Sequence, residues 1–272
     1  RPPRSTPKPS SAASDVYKRQ MQIVAKRLLI FGMHVHIGIK DPDLRIDIMN
    51  QMRYFMPHIL TLSTSSPFWW GQKTGFKSYR SIVFEDLPRT GIPEMFNSYV
   101  EYDEYIKTLI NCGCIDEATK IWWDIRPHPK FPTLEFRICD CTTRVNEVIA
   151  IAALIQSLVA KLIKLRRLNQ SWRTYRSSMI AENKWRAIKD GVKGKLIDFG
   201  KQSEVSVSEL ASELIELVDD VLDPLGTRED VEYIFTLLKE GSSADRQLSC
   251  YDRTDSLEAV VYQLSEETMM DC

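Results

Sequence analysis

The sequence predicts an α+β fold, in which helices pack on one side of a mainly antiparallel sheet. Residues 32–38 and 133–139 alternate apolar with polar or charged side chains, which is the pattern of half-buried strands. Strand-like segments are concentrated in the earlier part of the chain, whereas the last third shows helical patterns. A chain that groups its strands and its helices in this way is typical of the α+β class.

The two alternating segments also predict a functional face on the sheet. Successive side chains of a strand point to opposite faces, so His34 and His36 lie on one side of their strand, as Glu135 and Arg137 do on theirs. The residues between them form the buried side: Met33, Val35, Ile37, Leu134, Phe136 and Ile138. Imidazole, carboxylate and guanidinium groups in front of a sheet indicate a site for a metal and a phosphate.

The first twenty residues differ from the rest of the chain. Proline, serine and basic residues dominate this stretch and supply no apolar face, so it is expected to be a disordered arm or a sequence scar. An organellar transit peptide is the alternative for a stretch that is rich in serine and arginine. Periodic sequence begins at Met21, and we therefore place the folded domain at residues 21–272.

Composition narrows the class of protein. A chain of 272 residues, 43% hydrophobic and 27% charged, suffices for one large domain or two small ones. A net charge of −1 provides no electrostatic attraction for nucleic acid or an anionic membrane surface. The close cysteine pairs Cys112 with Cys114 and Cys139 with Cys141 are spaced too tightly for a typical zinc site, and they favour a reducing, cytoplasmic location.

Helices are expected along most of the domain. Asp41 is expected to cap a helix that carries Pro42 in its first turn, runs to about Leu60 and kinks at Pro57. The other elements of this half are a helix end at 21–29, a loop-rich segment at 63–93, a helix at 93–111 and two strands within 121–139.

The longest helix is expected from Thr142 or Thr143 to about Arg167. Its apolar centre, residues 148–160, is well short of the roughly 20 residues that a membrane span needs, so a buried core helix is expected instead. Further helices are expected at 179–190 before Gly191, from Ser206 or Ser208 to Leu222 before Pro224, at 227–240 before Gly241, and at 254–267.

Several motifs follow one another along the domain. They are GMHVHIGI at 32–39, SPFWWGQKTGFKSYR at 66–80, LPRTGIP at 87–93, WWDIRPHPKFPTLEFRICD at 122–140, ENKWRAIKDG at 182–191 and ADRQ at 244–247. Together they resemble the glutamate–cysteine ligase type 2 family, whose members are carboxylate–amine ligases with a catalytic domain related to glutamine synthetase. Any one of these motifs alone is a weak signal, but their common order is a strong one.

The resemblance implies a reaction and a set of site residues. It implies that ATP and magnesium activate a carboxylate as an acyl phosphate, and that an amine then displaces the phosphate to form an amide. Glu135 and His34 are expected to bind magnesium, with manganese as the alternative metal, and Arg137 and His34 are the expected catalytic residues. ATP contacts are expected from Arg137, Lys184 and Arg186, and contacts to the amino-acid-like carboxylate and amine from Thr74, Tyr79, Arg80 and Arg89. A homo-oligomer is compatible with this assignment.

The resemblance also implies that part of the family's fold precedes this chain. Members of the family open with strands that carry a Gly-x-Glu-x-Glu pattern and further acidic metal ligands, before the segment that corresponds to Met21. The chain is therefore expected to be an N-terminally truncated fragment with an incomplete sheet. By itself such a fragment is expected to self-associate through its open sheet edge and to form no acyl phosphate.

Two other functions fit some of the same residues. A zinc-dependent hydrolase could use His34, His36 and Glu135, because two imidazoles and a carboxylate suit zinc. A non-catalytic interaction fragment could present the acidic stretch 204–230 to a partner. The first alternative predicts zinc binding without nucleotide, and the second predicts neither ligand.

Overall fold

A computed structural model of the chain describes Val24 and residues 26–270. The predicted arm at residues 1–20 lies outside the described residues, so its disorder and the domain boundary at Met21 stay predictions. The strands are β1 (Val35–Gly38), β2 (Phe68–Trp69), β3 (Gln72–Lys73), β4 (Thr90–Gly91), β5 (Trp122–Trp123), β6 (Ile125–Pro127), β7 (Thr133–Phe136), β8 (Lys195–Asp198) and β9 (Ser203–Ser206). The α-helices are α1 (Pro42–Met52), α2 (Met56–Ser63), α3 (Tyr79–Glu85), α4 (Tyr99–Asn111), α5 (Val145–Arg167), α6 (Ser177–Asp190), α7 (Val207–Leu225), α8 (Arg228–Glu240), α9 (Ser243–Thr254) and α10 (Leu257–Met269).

The central sheet has three antiparallel strands in the order β1-β7-β6, which confirms the predicted α+β class. Glu135 lies opposite His36 on one neighbouring strand and opposite Arg126 on the other, so these three side chains share a face. Ile125, Leu134 and Phe136 are fully buried on the other face. Helices α1 and α5 pack against the sheet and join this buried face to the main core.

The first helix begins as predicted and is interrupted earlier than predicted. The Asp41 carboxylate accepts hydrogen bonds from the backbone N–H groups of Asp43 and Leu44, and Pro42 lies in the first turn. The predicted kink at Pro57 is wrong, because the break is a 3₁₀ turn at Arg53–Phe55. Pro57 lies in the first turn of α2, where a missing N–H removes no helical hydrogen bond.

Residues 63–93 are more regular than the predicted loop. They contain the β2–β3 hairpin, helix α3 and strand β4, which pairs in parallel with β5. The hairpin closes through Trp70 and Gly71, whose φ angles are 48° and 77°. Two consecutive left-handed residues fit a tight two-residue hairpin turn. The turn was not predicted, because the sequence around it is apolar and lacks the usual polar turn residues.

Helix α4 starts later than predicted, at Tyr99 instead of near residue 93. The Ser98 side chain accepts a hydrogen bond from the Glu101 N–H, which is the usual arrangement at a helix start. Residues 93–98 are held outside the helix by contacts elsewhere, since Asn50 exchanges hydrogen bonds with the backbone of Phe96. These tertiary contacts override the local helical pattern.

The C-terminal helices confirm most of the predicted boundaries. Helices α6 and α8 end at Gly191 and Gly241, and Ser206 caps α7. The predicted stop before Pro224 is wrong, because α7 continues through this proline and ends at Gly226, which has a left-handed φ of 66°. The carbonyl of Asp220, which the proline cannot bond, lies 3.4 Å from the Lys164 ammonium group.

The predicted helix at 254–267 corresponds to α10, which begins slightly later, at Leu257 behind the cap Ser256. Helix α9 precedes it and ends at Thr254. Helix α9 was not predicted. It begins with a capping box, in which Ser242 and Asp245 satisfy each other's backbone groups, within a polar stretch that lacks an obvious apolar periodicity.

Helix α5 starts at Val145, close to the predicted start at Thr142 or Thr143. By length and composition alone it could cross a membrane, and half of its most apolar window is buried inside the structure. Its buried residues include Ile151, Leu154 and Leu158, which belong to the main hydrophobic core. Helices α7 and α8 pack against it, as expected for a core helix.

His58 provides a test of this core. Its ring lies 4% exposed beside Tyr54, and burial lowers its pKa from 6.5 to about 4. Below pH 6.5 His58 binds a proton in the unfolded chain, whereas in the folded chain it stays neutral down to about pH 4. The free energy of unfolding therefore falls as the pH falls through this window. We expect His58 to cost about 2 kcal/mol of unfolding free energy between pH 7 and pH 5.

Urea denaturation at both pH values measures this effect in the chain and in the variant His58→Leu. The variant should lose much of the decrease between pH 7 and pH 5, because leucine does not titrate. An equal decrease in the two proteins would show that His58 does not titrate differently in the folded and unfolded chains.

Candidate functional site

The predicted functional face gathers four side chains around one carboxylate. Glu135 is 2% exposed, and its Oε1 lies 2.6 Å from an Arg137 Nη1 and 3.3 Å from His34 Nδ1. Its Oε2 accepts a hydrogen bond of 2.8 Å from Arg126 Nε. His36 completes the group, with Nε2 at 3.9 Å from Glu135 Oε1. The sheet register thus brings His34, His36, Glu135 and Arg137 together as predicted.

Two guanidinium groups determine the charge of this cluster. Burial disfavours the Glu135 carboxylate, but the hydrogen bonds and charges of Arg126 and Arg137 outweigh that cost and lower its pKa to about 2. Two arginines around one buried carboxylate leave a net positive charge at neutral pH. A phosphoryl group is a suitable ligand for such a surplus.

The two histidines of the cluster make different contacts. Burial and the nearby Arg137 charge lower the pKa of His34 to about 4, so this imidazole is neutral at physiological pH. His36 Nδ1 lies 3.1 Å from the hydroxyl of Thr133. A neutral imidazole can accept or donate a hydrogen bond, and the Arg137 Nη1 lies 3.5 Å from His34 Nδ1.

One donor of Arg137 makes no hydrogen bond within the described part of the chain. This donor is the buried Nε, and the whole side chain is only 11% exposed. An unsatisfied buried donor is costly unless a ligand or water completes it. The cluster therefore offers a donor that is already held in place by Glu135.

The metal prediction finds limited support in the same geometry. Glu135 is the carboxylate of the cluster, and both of its oxygens already accept hydrogen bonds from arginines. Across residues 26–270 and Val24, no group of three or more His, Cys, Asp and Glu side chains could hold a metal ion. These residues do not by themselves fit magnesium or a three-ligand zinc centre, since both metals need more free ligands.

The four predicted substrate contacts divide into two groups. Tyr79 and Arg80 line a cavity of about 360 Å³ beside the sheet. Thr74 does not line it, and its hydroxyl instead donates to the carbonyl of Pro67 within the hairpin. Arg89 has a left-handed φ of 60° and donates from Nε to the carbonyl of Lys120. Substrate roles for all four residues stay predictions.

The two predicted nucleotide contacts on α6 lie in ion pairs. Lys184 is 5% exposed and its ammonium lies 2.7 Å from Asp124 and 3.1 Å from Glu85. Arg186 pairs with Glu204 at 2.6 Å and with Glu182 at 3.3 Å. Both side chains are engaged in these ion pairs, and a nucleotide role for them stays a prediction.

Sequence reasoning missed Arg126 and the role of Asp140. Arg126 lies between the apolar residues Ile125 and Pro127, which is the same alternation as in the other strands. The proline, which is unusual in a strand, concealed this pattern from the sequence analysis. Asp140 is 1% exposed and accepts hydrogen bonds from the Ser65 N–H and from the hydroxyls of Ser66 and Ser78. Its partners come from distant parts of the sequence, so no local pattern could reveal it.

Comparisons with known proteins agree with the sequence motifs. The model of the glutamate–cysteine ligase family 2 matches residues 2–263. A relative from Herpetosiphon aurantiacus, provisionally named glutamate–cysteine ligase 2, is 56% identical over 92% of this chain and 65% of its own length. A relative of the same provisional name from Roseiflexus castenholzii is also 56% identical, over 92% of this chain and 66% of its own length. The chain thus spans slightly less than two thirds of these relatives.

Two solved structures share the fold at low sequence identity. A bifunctional glutathione synthetase from Pasteurella multocida superposes with a TM-score of 0.65 at 14% identity, over 98% of this chain and 40% of that protein. A glutamate–cysteine ligase from Francisella tularensis, solved in complex with AMP, gives 0.59 at 14% identity, over 96% of this chain and 61% of that protein. At this identity the likeness establishes the fold alone.

Proposed function

The chain belongs to the glutamate–cysteine ligase family 2, and from this membership we propose that it supports an ATP-dependent carboxylate–amine ligase reaction. The substrates are ATP, an amino-acid-like carboxylate and an amine. The carboxylate attacks the γ-phosphorus as the bond to ADP breaks, which gives an acyl phosphate. The amine nitrogen then forms the amide bond as phosphate leaves, and one proton of the amine leaves with the phosphate.

The observation that carries this proposal is the buried Arg137 Nε, which makes no hydrogen bond within the described residues. Glu135 and the strand hold the Arg137 guanidinium at the cluster, and a phosphoryl oxygen that reached this Nε would satisfy it. Arg126 adds a second positive charge on the same face. Magnesium binding by Glu135 and His34 stays a prediction, since these two residues alone supply too few free ligands.

ADP release tests the proposal. The assay uses the 272-residue chain and an extended protein, in which the part of the Herpetosiphon relative that this chain does not span is joined to residues 21–272. With ATP, magnesium, glutamate and an amine, the extended protein should release ADP and form an amide. In the extended protein Arg137→Lys should be roughly tenfold slower, because lysine keeps the charge but loses the planar fork.

The Arg173→Lys variant is a matched control, since Arg173 lies outside the cluster over the ring of Tyr175. It should leave the rate unchanged. Amide formation that needs no ATP, or zinc-dependent hydrolysis by the same protein, would contradict the ligase proposal and favour the hydrolase alternative. If neither the 272-residue chain nor the extended protein binds nucleotide, the result would favour the interaction-fragment alternative.

A further inference from the structure

The cavity beside the sheet is built as a binding site with a polar floor. We call it the Asp140 pocket; its volume is about 360 Å³, and its floor is our name for three buried polar lining residues, Asp140, Arg80 and Thr142. Asp140 and Arg80 are 1% and 6% exposed, with their closest charged atoms 3.6 Å apart. The Asp140 hydrogen bonds to Ser65, Ser66 and Ser78 hold this floor in place.

Thr142 points to a missing ligand. Its side chain is 94% buried, and its hydroxyl oxygen makes no hydrogen bond within the described residues. A buried hydroxyl without a partner is costly, whereas its neighbours in the floor are satisfied. A ligand with a polar hydrogen that reaches Thr142 would complete the floor.

Apolar side chains form another part of the pocket lining, beside polar residues such as Thr143 and Gln247. The rings of Trp69 and Tyr79 lie 5.5 Å apart along one wall, and Leu264 of α10 lines another. At the mouth, Leu29 and Phe31 are 77% and 82% exposed. Exposed apolar side chains around a concave site favour a ligand that carries an apolar group.

Arg80 connects this pocket to the Glu135 cluster. Its guanidinium donates to the backbone carbonyls of Arg137 and Ile138, at 3.0 Å each. One side chain therefore contacts both the pocket and the backbone of the residue that we propose to bind the phosphoryl group. This contact places the pocket beside the chain segment that carries Arg137.

We propose that the Asp140 pocket binds the amine substrate, and that this substrate is a primary amine with an apolar group larger than a cysteine side chain. The amine nitrogen lies at the Thr142 hydroxyl, and the apolar group packs between Trp69, Tyr79 and Leu264. This inference rests on the proposed ligase function. A volume of about 360 Å³ is at the small end of the usual range for small-molecule sites.

Calorimetric binding of three probes to the 272-residue chain tests the pocket. The probes are 2-phenylethylamine, ethanolamine, which lacks the apolar group, and 2-phenylethanol, which lacks the amine. We expect 2-phenylethylamine to bind at least tenfold more tightly than either of the others. Equal binding of ethanolamine and 2-phenylethylamine would overturn the proposal.

Two variants locate the binding. Thr142→Val should weaken 2-phenylethylamine binding roughly tenfold, because it removes the hydroxyl but keeps the shape. Leu264→Trp should abolish binding by filling the pocket. Thr108→Val and Leu168→Trp change exposed residues outside the pocket and should leave the affinity unchanged. If neither pocket variant weakens binding, the amine does not bind here.

Turnover separates this inference from the ligase proposal. ADP release by the extended protein that ethanolamine accelerates as much as 2-phenylethylamine would overturn the pocket assignment and leave the ligase proposal standing. Tight amine binding in an extended protein that never releases ADP would overturn both the ligase proposal and the substrate role of the bound amine. Amide formation preferred with 2-phenylethylamine, and lost in Leu264→Trp, supports both.

Discussion

We expect Glu135→Gln to lower the free energy of unfolding by about 3 kcal/mol at pH 7, because it removes the charge that two buried arginines share. The Glu135 side chain is 3% exposed and those of Arg126 and Arg137 are 6% and 11% exposed, so water cannot replace the lost charge well. In the extended protein the same variant should slow ADP release at least roughly 100-fold, since Arg137 loses the group that positions it.

Chemical denaturation at low micromolar concentration measures the first effect. Glu204→Gln is the matched control, because Glu204 also pairs with an arginine but is 54% exposed, and it should cost well under about 1 kcal/mol. A loss below about 1 kcal/mol for Glu135→Gln, with ADP release unchanged, would show that the carboxylate neither holds the cluster together nor serves the reaction.

The second large effect is expected at Lys184. Burial disfavours the charge of this lysine, but Asp124 and Glu85 outweigh that cost and raise its pKa. Lys184→Met leaves the Asp124 carboxylate, 4% exposed, without its partner. We expect the unfolding free energy to fall by about 3 kcal/mol, as for other buried ion pairs that lose one member.

The double variant Lys184→Met with Asp124→Asn should recover at least half of that loss, because no uncompensated charge remains. Lys189→Met, on the exposed side of the same helix, should change stability by less than about 0.5 kcal/mol. A double variant as unstable as Lys184→Met would contradict the ion-pair explanation. A stable double variant that binds ATP tenfold more weakly would confirm the predicted nucleotide role of Lys184.

The sequence by itself determined the class of fold and one face of the site. Alternation in residues 32–38 and 133–139 has a period of two, and it correctly placed His34, His36, Glu135 and Arg137 on the polar face of an antiparallel sheet. Local chemistry also determined the caps at Asp41 and Ser206, because a cap depends on a few neighbouring residues. The family motifs could also be recognised from the sequence, because each motif is a short run of neighbouring residues.

Only the tertiary structure decided which charges are satisfied and where a ligand fits. Arg126 joins Glu135 through strand pairing, and Lys184 meets Asp124 across 60 residues of sequence. The Asp140 pocket depends on segments that lie far apart along the chain, from Ser65 to Leu264. The start of α4 at Tyr99 and the continuation of α7 through Pro224 likewise follow from long-range contacts. Burial and pairing are properties of the packed chain, and no local period encodes them.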